Sequence, residues 1–291
     1  MGKRLLCLLL CLLLCPFAAA EEPADFIRNT ELDSIGKLIR TYDTPTLKYT
    51  MEKFLMEGEI CWLTRIWVQD PGRQIRKATS QWKENLLYPE QMARQIPGAA
   101  LAVNGSGFVS PQYPWIPEDY PGESRDYWYT PLGSVTVTDG EVLRNLEGVP
   151  YYGLALNAEG LQMYAGADNG EVLAAEPSQT WSFYTGCPML RDNEDILPAE
   201  WEFADQHASR TIIGRVDRNN YLILTVTRER GKGLTLRRAS EFFRENFSTE
   251  WVYNLDGGQS SALLSRKQDK KNMLRLTTKG ARVVDIMAFI E

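Results

Sequence analysis

Trp251-Val252-Tyr253-Asn254-Leu255-Asp256-Gly257-Gly258-Gln259-Ser260-Ser261 is the stretch on which the reading of this chain turns. Its first five residues are aromatic, β-branched or apolar around one amide, the make-up of a short buried strand. The two glycines then allow a sharp turn, with positive φ where needed, and let backbone amides approach an anion closely. Asp256 falls at the strand's end, where open sheets carry their chemistry. Asp-Gly is equally a plain hairpin signal, so the stretch alone reads as either a site or an ordinary turn.

Outward from it, the chain sets bounds. Lys3 and Arg4 precede an apolar run from Leu5 to Leu14, and Ala18-Ala19-Ala20 offers a small-residue cleavage pattern. Residues 1–20 therefore read as a secretory signal peptide, which implies a secreted or extracytoplasmic, cell-envelope location. The run is too short for an easy membrane span, so no membrane association is expected after cleavage. The formal net charge of −6 argues against non-specific nucleic-acid binding, which needs basic patches. Cys7, Cys11 and Cys15 fall in the signal, leaving Cys61 and Cys187 as one disulfide or two buried thiols. With those two and the single His207, a structural zinc site is not expected. No metal or cofactor is implied.

Residues 21–58 read as a charged N-terminal arm with a helix around Thr46–Met56, and residues 59–291 as the domain proper. Strands are expected at Ile60–Val68, Ala99–Val103, Val135–Val137, Glu141–Leu143, Tyr151–Leu156, Leu161–Tyr164, Thr211–Val216, Tyr221–Thr227 and Val283–Ile290. Short helices are expected at Pro89–Gln95 and Gly170–Glu176. A longer one over Leu236–Phe247 has apolar residues at helical spacing and Thr235 as its N-cap. Strands predominate with a few helices, which gives a mixed α+β class. Residues 110–130 form a long loop rich in Tyr and Trp, including Tyr113, Trp115, Tyr120, Tyr127, Trp128 and Tyr129. Its rings either stack sugars or order the loop.

Three polar clusters lie at strand ends: Asn104-Gly105-Ser106-Gly107, Ser209-Arg210-Thr211 and Asp256-Gly257-Gly258. An amide, a guanidinium, a carboxylate and glycine turns together suit an anionic, hydroxyl-bearing ligand, because arginine can clamp a phosphate through two N–H donors. A serine triad would need His207 with Ser260 or Ser209, and no Gly-x-Ser-x-Gly elbow accompanies them.

The motifs also occur in a telling order. Ala100-Leu101-Ala102-Val103-Asn104-Gly105 is followed by Tyr184-Thr185-Gly186-Cys187-Pro188-Met189-Leu190, then Arg210-Thr211-Ile212-Ile213-Gly214. Gly233-Leu234-Thr235-Leu236 comes next, before a helix, and the Asp256 stretch closes the series. Over roughly residues 59–290 this resembles the phosphodiester glycosidase family. The resemblance implies a mainly antiparallel sheet core with flanking helices, and cleavage of a sugar-1-phosphodiester at the anomeric carbon, in a sugar-phosphate glycan or glycoconjugate. It implies Asp256 as base, nucleophile or cation stabiliser, and Asn104 orienting sugar or water. Arg210, Thr211 and the glycine-turn amides would hold phosphate, with Gly105, Gly257, Gly258, Gln259 and Ser260 forming the rest of the substrate site.

Three departures stand against it. Gln259 occupies the third glycine of the family's Asp-Gly-Gly-Gly-Ser-Ser and adds an amide near the presumed phosphate. Ser106 differs from the usual residue after Asn-Gly. Arg228-Glu229-Arg230, read as a solvated turn, replaces an Asp-Gly-Arg-like turn. These keep open a catalytically silent envelope protein that binds anionic glycans.

Overall fold

The computed structural model describes residues 35–291 apart from residues 113, 115, 117–119, 184–186, 229–230, 268–269, 271 and 279. The signal-peptide reading of residues 1–20, the start of the arm, Tyr113, Trp115 and the Tyr184-Thr185-Gly186 part of one motif lie outside the described residues. In chain order the strands are β1 (Lys37–Asp43), β2 (Leu47–Met56), β3 (Glu59–Val68), β4 (Ile75–Thr79), β5 (Ala99–Asn104), β6 (Val135–Thr138), β7 (Glu141–Asn145), β8 (Tyr151–Asn157) and β9 (Gly160–Ala167). There follow β10 (Gln179–Ser182), β11 (Pro188–Arg191), β12 (Glu194–Asp195), β13 (Arg210–Arg215), β14 (Asn220–Thr227), β15 (Trp251–Asn254), β16 (Leu263–Arg266), β17 (Met273–Arg275) and β18 (Asp285–Ile290).

They form an eight-stranded sheet, β1-β2-β3-β14-β13-β15-β11-β12, and two five-stranded sheets, β7-β6-β10-β8-β9 and β17-β16-β5-β18-β4. Every strand pairing in the three sheets is antiparallel among the described residues. The α+β class and the mainly antiparallel core are thus as expected.

Alternation along the strands builds the layers. In β3, Ile60, Trp62 and Ile66 join a central core with Leu101, Val103, Met287 and Phe289 of the second sheet. Cys61 and Leu63 point to the opposite face, where they pack with Phe242 and Phe243 of the helix Leu236–Asn246. Thr235 caps that helix, its hydroxyl accepting from the Arg238 amide at 3.1 Å. The outer face of the β5–β18 sheet is covered by Met92 and Ala93 of the short helix Pro89–Ala93.

Two expectations are corrected. Thr46–Met56 is not helical: its Lys, Glu, Met and Leu favour a helix locally, but Leu47, Tyr49 and Met51 recur at period two and enter the central core. β2 pairs with β3 along its whole length, so this part of the presumed arm is integral to the large sheet. The disulfide alternative also fails. Cys61 and Cys187 are buried and not joined in a disulfide, and they belong to cores on opposite faces of the large sheet.

Candidate active site

The site forms where strand ends of two sheets meet. β13 pairs with both β14 and β15, so the C-terminal ends of β14 and β15 open at one edge of the large sheet, beside the start of β13. Asp256 lies two residues beyond β15. From the second sheet, the turn after β5 reaches across: the Asp256 amide donates to the Gly105 carbonyl at 3.0 Å, and Asn104 Nδ2 donates to the Asp256 carbonyl at 2.7 Å. Asp256 is therefore clamped through both of its backbone polar groups by consecutive residues.

Asn104 is fully buried. Its Oδ1 accepts from Thr211 Oγ1 at 2.7 Å and from the Ala262 amide at 2.9 Å. Three of its four hydrogen-bonding positions are thus taken by protein, and they tie β13, the Asp256 turn and the approach to β16 together. The arrangement suits a positioning role, not direct orientation of a sugar. Thr211, whose hydroxyl is spent on Asn104, is fully buried too and lines neither cavity described below.

A buried ion pair supports the same turn. Asp285, at the start of β18, accepts from the Ser106 amide at 2.6 Å and the Ser106 hydroxyl at 2.8 Å. Lys77 Nζ stands 3.3 Å from Oδ2, the same oxygen that accepts from the Ser106 hydroxyl, and both side chains are wholly excluded from solvent. Lys77 also donates to the Thr180 carbonyl at 2.6 Å. Burial pulls its pKa down, against the opposing effect of Asp285. Gly105 is required here: a Cβ at that position would come 2.1 Å from Asp285 Oδ1.

The Asp256 carboxyl is half-buried and accepts from the Gly257 amide at 2.8 Å. Burial pushes its pKa up to about 7, against the lowering effect of hydrogen bonds from Ser260 and Gly257, with the negative charge of Asp285 adding to the rise. Both of its protonation states are consequently accessible near neutral pH, the property that acid–base work at that pH requires.

Asp256 lines a cavity of about 690 Å³. Arg228 and Arg282 are the cationic residues of its described lining, and Glu84 supplies a second carboxylate. Tyr88, Phe108, Tyr129 and Phe183 contribute rings of the kind that pack on apolar sugar faces. The aromatic loop divides its duties: Tyr127 is buried in a small core with Val109 and Leu132, while Tyr129 faces the cavity.

The expected phosphate-holding set changes accordingly. Arg210 is buried, its Nε donating to the Leu234 carbonyl at 3.1 Å and its Nη2 to the Gln206 carbonyl. Its guanidinium lies over the Phe203 ring, 5.1 Å from the centroid, and burial brings its pKa down to about 10. It lines no cavity among those that contain Asp256 or its glycine turn. The glycine amides are also largely spent: Gly257 donates to Asp256 itself, Gly258 to the Ser209 carbonyl at 2.8 Å, and Ser260 to the Gly257 carbonyl at 3.1 Å. The glycines serve the backbone instead: a Cβ on Gly257 would come 2.7 Å from that Ser209 carbonyl, while Gly258, with open space where a Cβ would stand, takes φ +60°.

Arg228, read from sequence as part of a solvated turn, is the residue that reasoning missed. It directly follows β14, at the same edge as Asp256, and this position was the available signal. Arg282, just before β18, carried no such signal. His207 is exposed, with Nδ1 2.7 Å from the Gly233 carbonyl, and it lines neither cavity, so the geometry lends nothing to a serine triad.

With this geometry in view, the chain can be set beside known proteins. The model of the phosphodiester glycosidase family matches residues 97–289. The chain belongs to the phosphodiester glycosidase family. Among solved structures, it is similar to the catalytic domain of zebrafish N-acetylglucosamine-1-phosphodiester alpha-N-acetylglucosaminidase, a structure described as auto-inhibited by its pro-peptide. The identity is 16%, covering 86% of this chain and 85% of that one, with a TM-score of 0.61. A hypothetical protein from Synechocystis is similar at 13% identity and a TM-score of 0.54, over 87% of this chain and 64% of that one. No curated protein matches in sequence. At such identities the structural likeness is one of fold, and the phosphodiester glycosidase family supplies the class of chemistry. Family and fold together point to a phosphodiester glycosidase.

Proposed function

We propose that this protein hydrolyses a sugar-1-phosphodiester at the anomeric carbon and acts outside the cytoplasm, the location implied by residues 1–20. The observation that carries the reading is Asp256: a half-buried carboxyl with a pKa near 7, held at both backbone ends, in a cavity with two arginines and four rings. In the proposed reaction the bond between the anomeric carbon and the phosphate oxygen breaks, and the oxygen stays with phosphorus. Water adds to the carbon, releasing free sugar and a phosphomonoester. Phosphate is already a good leaving group, so cradling its charge matters more than protonating it. Ionised Asp256 takes the water's proton or stabilises positive charge on the sugar ring, and Arg228 and Arg282 take over the phosphate-binding role expected of Arg210. Asn104 acts as the strut that aims Asp256.

The test is incubation of the full chain with alpha-GlcNAc-1-phosphodiesters and related sugar phosphates, following free reducing sugar, with Asp256→Asn in parallel. Release by wild type and none by the variant supports the proposal. A fully active Asp256→Asn variant would remove Asp256 from the chemistry. Binding of the esters by wild type without any release would instead support a silent glycan-binding protein.

A further inference from the structure

Ser106 stands where the family carries another residue after Asn-Gly, and the proposed chemistry leaves it without a part. It is 1% exposed, and its amide and hydroxyl are both engaged. Both donate to Asp285, the amide to Oδ1 and the hydroxyl to Oδ2, and the hydroxyl also accepts from the Ser182 amide at 3.2 Å. The main chain repeats the link. The Gly105 amide donates to the Asp285 carbonyl at 3.1 Å, and the Gly105 carbonyl accepts from the Asp256 amide. A single residue, Gly105, thus bridges the main chains of Asp285 and Asp256.

Lys77 closes the far end. From β4 it meets Asp285, donates to the Thr180 carbonyl of β10, and lies 5.5 Å and 5.7 Å from the ring centroids of Trp82 and Trp181. The series therefore joins all three sheets: Lys77 and Asp285 in one, Thr180 and Ser182 in another, and Asp256 just beyond β15 of the largest. Stability alone does not call for charges here, because an apolar pair of similar volume fills a buried site as well or better. What the pair adds is direction, since a carboxylate held by an amide, a hydroxyl and an ammonium admits few orientations.

Resting on the hydrolase reading above, we infer that Ser106, Asp285 and Lys77 are positioning residues of the reaction, a buried relay that fixes the Gly105 carbonyl and, through it, the aim of the Asp256 carboxyl. None of the three lines the cavity that holds Asp256, or the second cavity of about 520 Å³ that shares Arg228, Gly258, Gln259 and Ala281 with it. They act through Asp256 and touch no substrate. Asp285 also reaches Asp256 by its charge, which favours the protonated carboxyl. The other charged groups about Asp256 are Arg228, Arg282 and Glu84 of the cavity lining, and its hydrogen bonds come from Ser260 and Gly257. Lys77 faces Asp285 and feels the charge of Asp139 as well. Removing the Asp285 charge lowers the Asp256 pKa whether Lys77 stays charged or sheds its proton. A lone ammonium favours the carboxylate, and a neutral amine is silent.

Two variants of the full chain test this. Asp285→Asn keeps an acceptor for the Ser106 amide and removes the charge; Ser106→Ala keeps the ion pair and removes one strut. Asp256 is titrated without substrate, by carbon NMR of protein labelled at the aspartate carboxyls, its signal being the one absent from Asp256→Asn. The midpoint, about 7 in wild type, is expected to fall by at least about half a pH unit in Asp285→Asn. Ser106→Ala is expected to fold with a slightly lowered Tm and to lose about three- to thirtyfold in kcat on a GlcNAc-1-phosphodiester, with KM within about twofold, because misaimed groups slow chemistry more than binding. An unmoved or raised midpoint in Asp285→Asn overturns the inference, as does a Ser106→Ala variant with intact kcat or with its loss chiefly in KM. Should Asp285→Asn fail to fold, the kcat-to-KM split of Ser106→Ala decides. Wild type that releases no sugar defeats the hydrolase reading, and the midpoint shift then still decides whether the relay reaches Asp256. Sugar release with an unmoved midpoint does the reverse.

Discussion

Asp256 should make the protein less stable in the form that does chemistry, and the size of the effect can be worked out. Its pKa rises from an ordinary 3.8 to about 7 in the fold. Three pKa units correspond to about 4 kcal/mol, an upper limit. Because the carboxyl is partly open to the cavity, solvent screening leaves roughly half of that, about 2 kcal/mol. A folded pKa above the unfolded one means that the native state holds its proton more tightly. The resulting stability is fully present below pH 4 and is lost as pH rises towards and through 7. Asp256→Asn keeps an acceptor for the Gly257 amide and never ionises, so it escapes this loss. For a domain of this size, about 2 kcal/mol is worth roughly 4–8 °C in Tm. Thermal unfolding of wild type and variant between pH 4 and pH 8.5 checks it. The variant should be the more stable protein above pH 7, and the gap should close as pH falls to 4, while sugar release is abolished throughout. A variant less stable than wild type at pH 8, or a gap that ignores pH, would refute the reasoning, because either result means the ionised carboxylate is not desolvated.

The same pKa predicts that kcat of the wild type climbs with pH to a plateau above about 7, as Asp256 ionises; a pH–rate profile falling across that range would assign it the acid's role instead. Arg228→Ala should cost about 10- to 100-fold in kcat/KM with Tm unchanged, whereas Arg210→Ala, which empties a buried site, should lower stability by about 2–4 kcal/mol in urea unfolding. Asn104→Ala strands Thr211 Oγ1, the Ala262 amide and the Asp256 carbonyl, an expected loss of about 2–4 kcal/mol with a fall in kcat larger than any change in KM. Reducing agent should leave Tm unmoved, since Cys61 and Cys187 share no disulfide to break.

The features legible in the sequence were those encoded locally. β15 and the Asp256 turn combine a short apolar run with consecutive glycines, and the Leu236–Asn246 helix shows both its stripe and its cap, so neighbouring residues sufficed. Arg210 was misjudged for a non-local reason. It sits at a strand end, like Asp256, yet Phe203 and the carbonyls of Gln206 and Leu234 close over it, and nothing adjacent to Arg210 announces that cover. The glycines of the turn read as a cradle for an anion. Their use is to admit the Ser209 carbonyl, a partner from another strand end. β2 shows local propensity yielding to a tertiary pattern: its composition suits a helix, and only its pairing with β3 fixes the extended form. Arg228 obeyed the strand-end rule that singled out Asp256, but a run of three charged residues concealed it.

The place of β18 bears on how the protein is made. Residues 285–290 pair on one side with β5 and on the other with β4, each more than 180 positions earlier in the chain. During synthesis, the ribosome must therefore complete almost the whole polypeptide before the middle of that sheet can be filled. Until then β4 and β5 each present an unpaired edge of the kind that recruits other strands, and Lys77 has no Asp285 to meet. Contacts of such sequence separation also slow folding once release occurs. The clamp on Asp256 is consequently among the last parts of the molecule to be assembled, and a chain interrupted before Asp285 would carry all of its site-lining strand ends without the strand that draws the second sheet together.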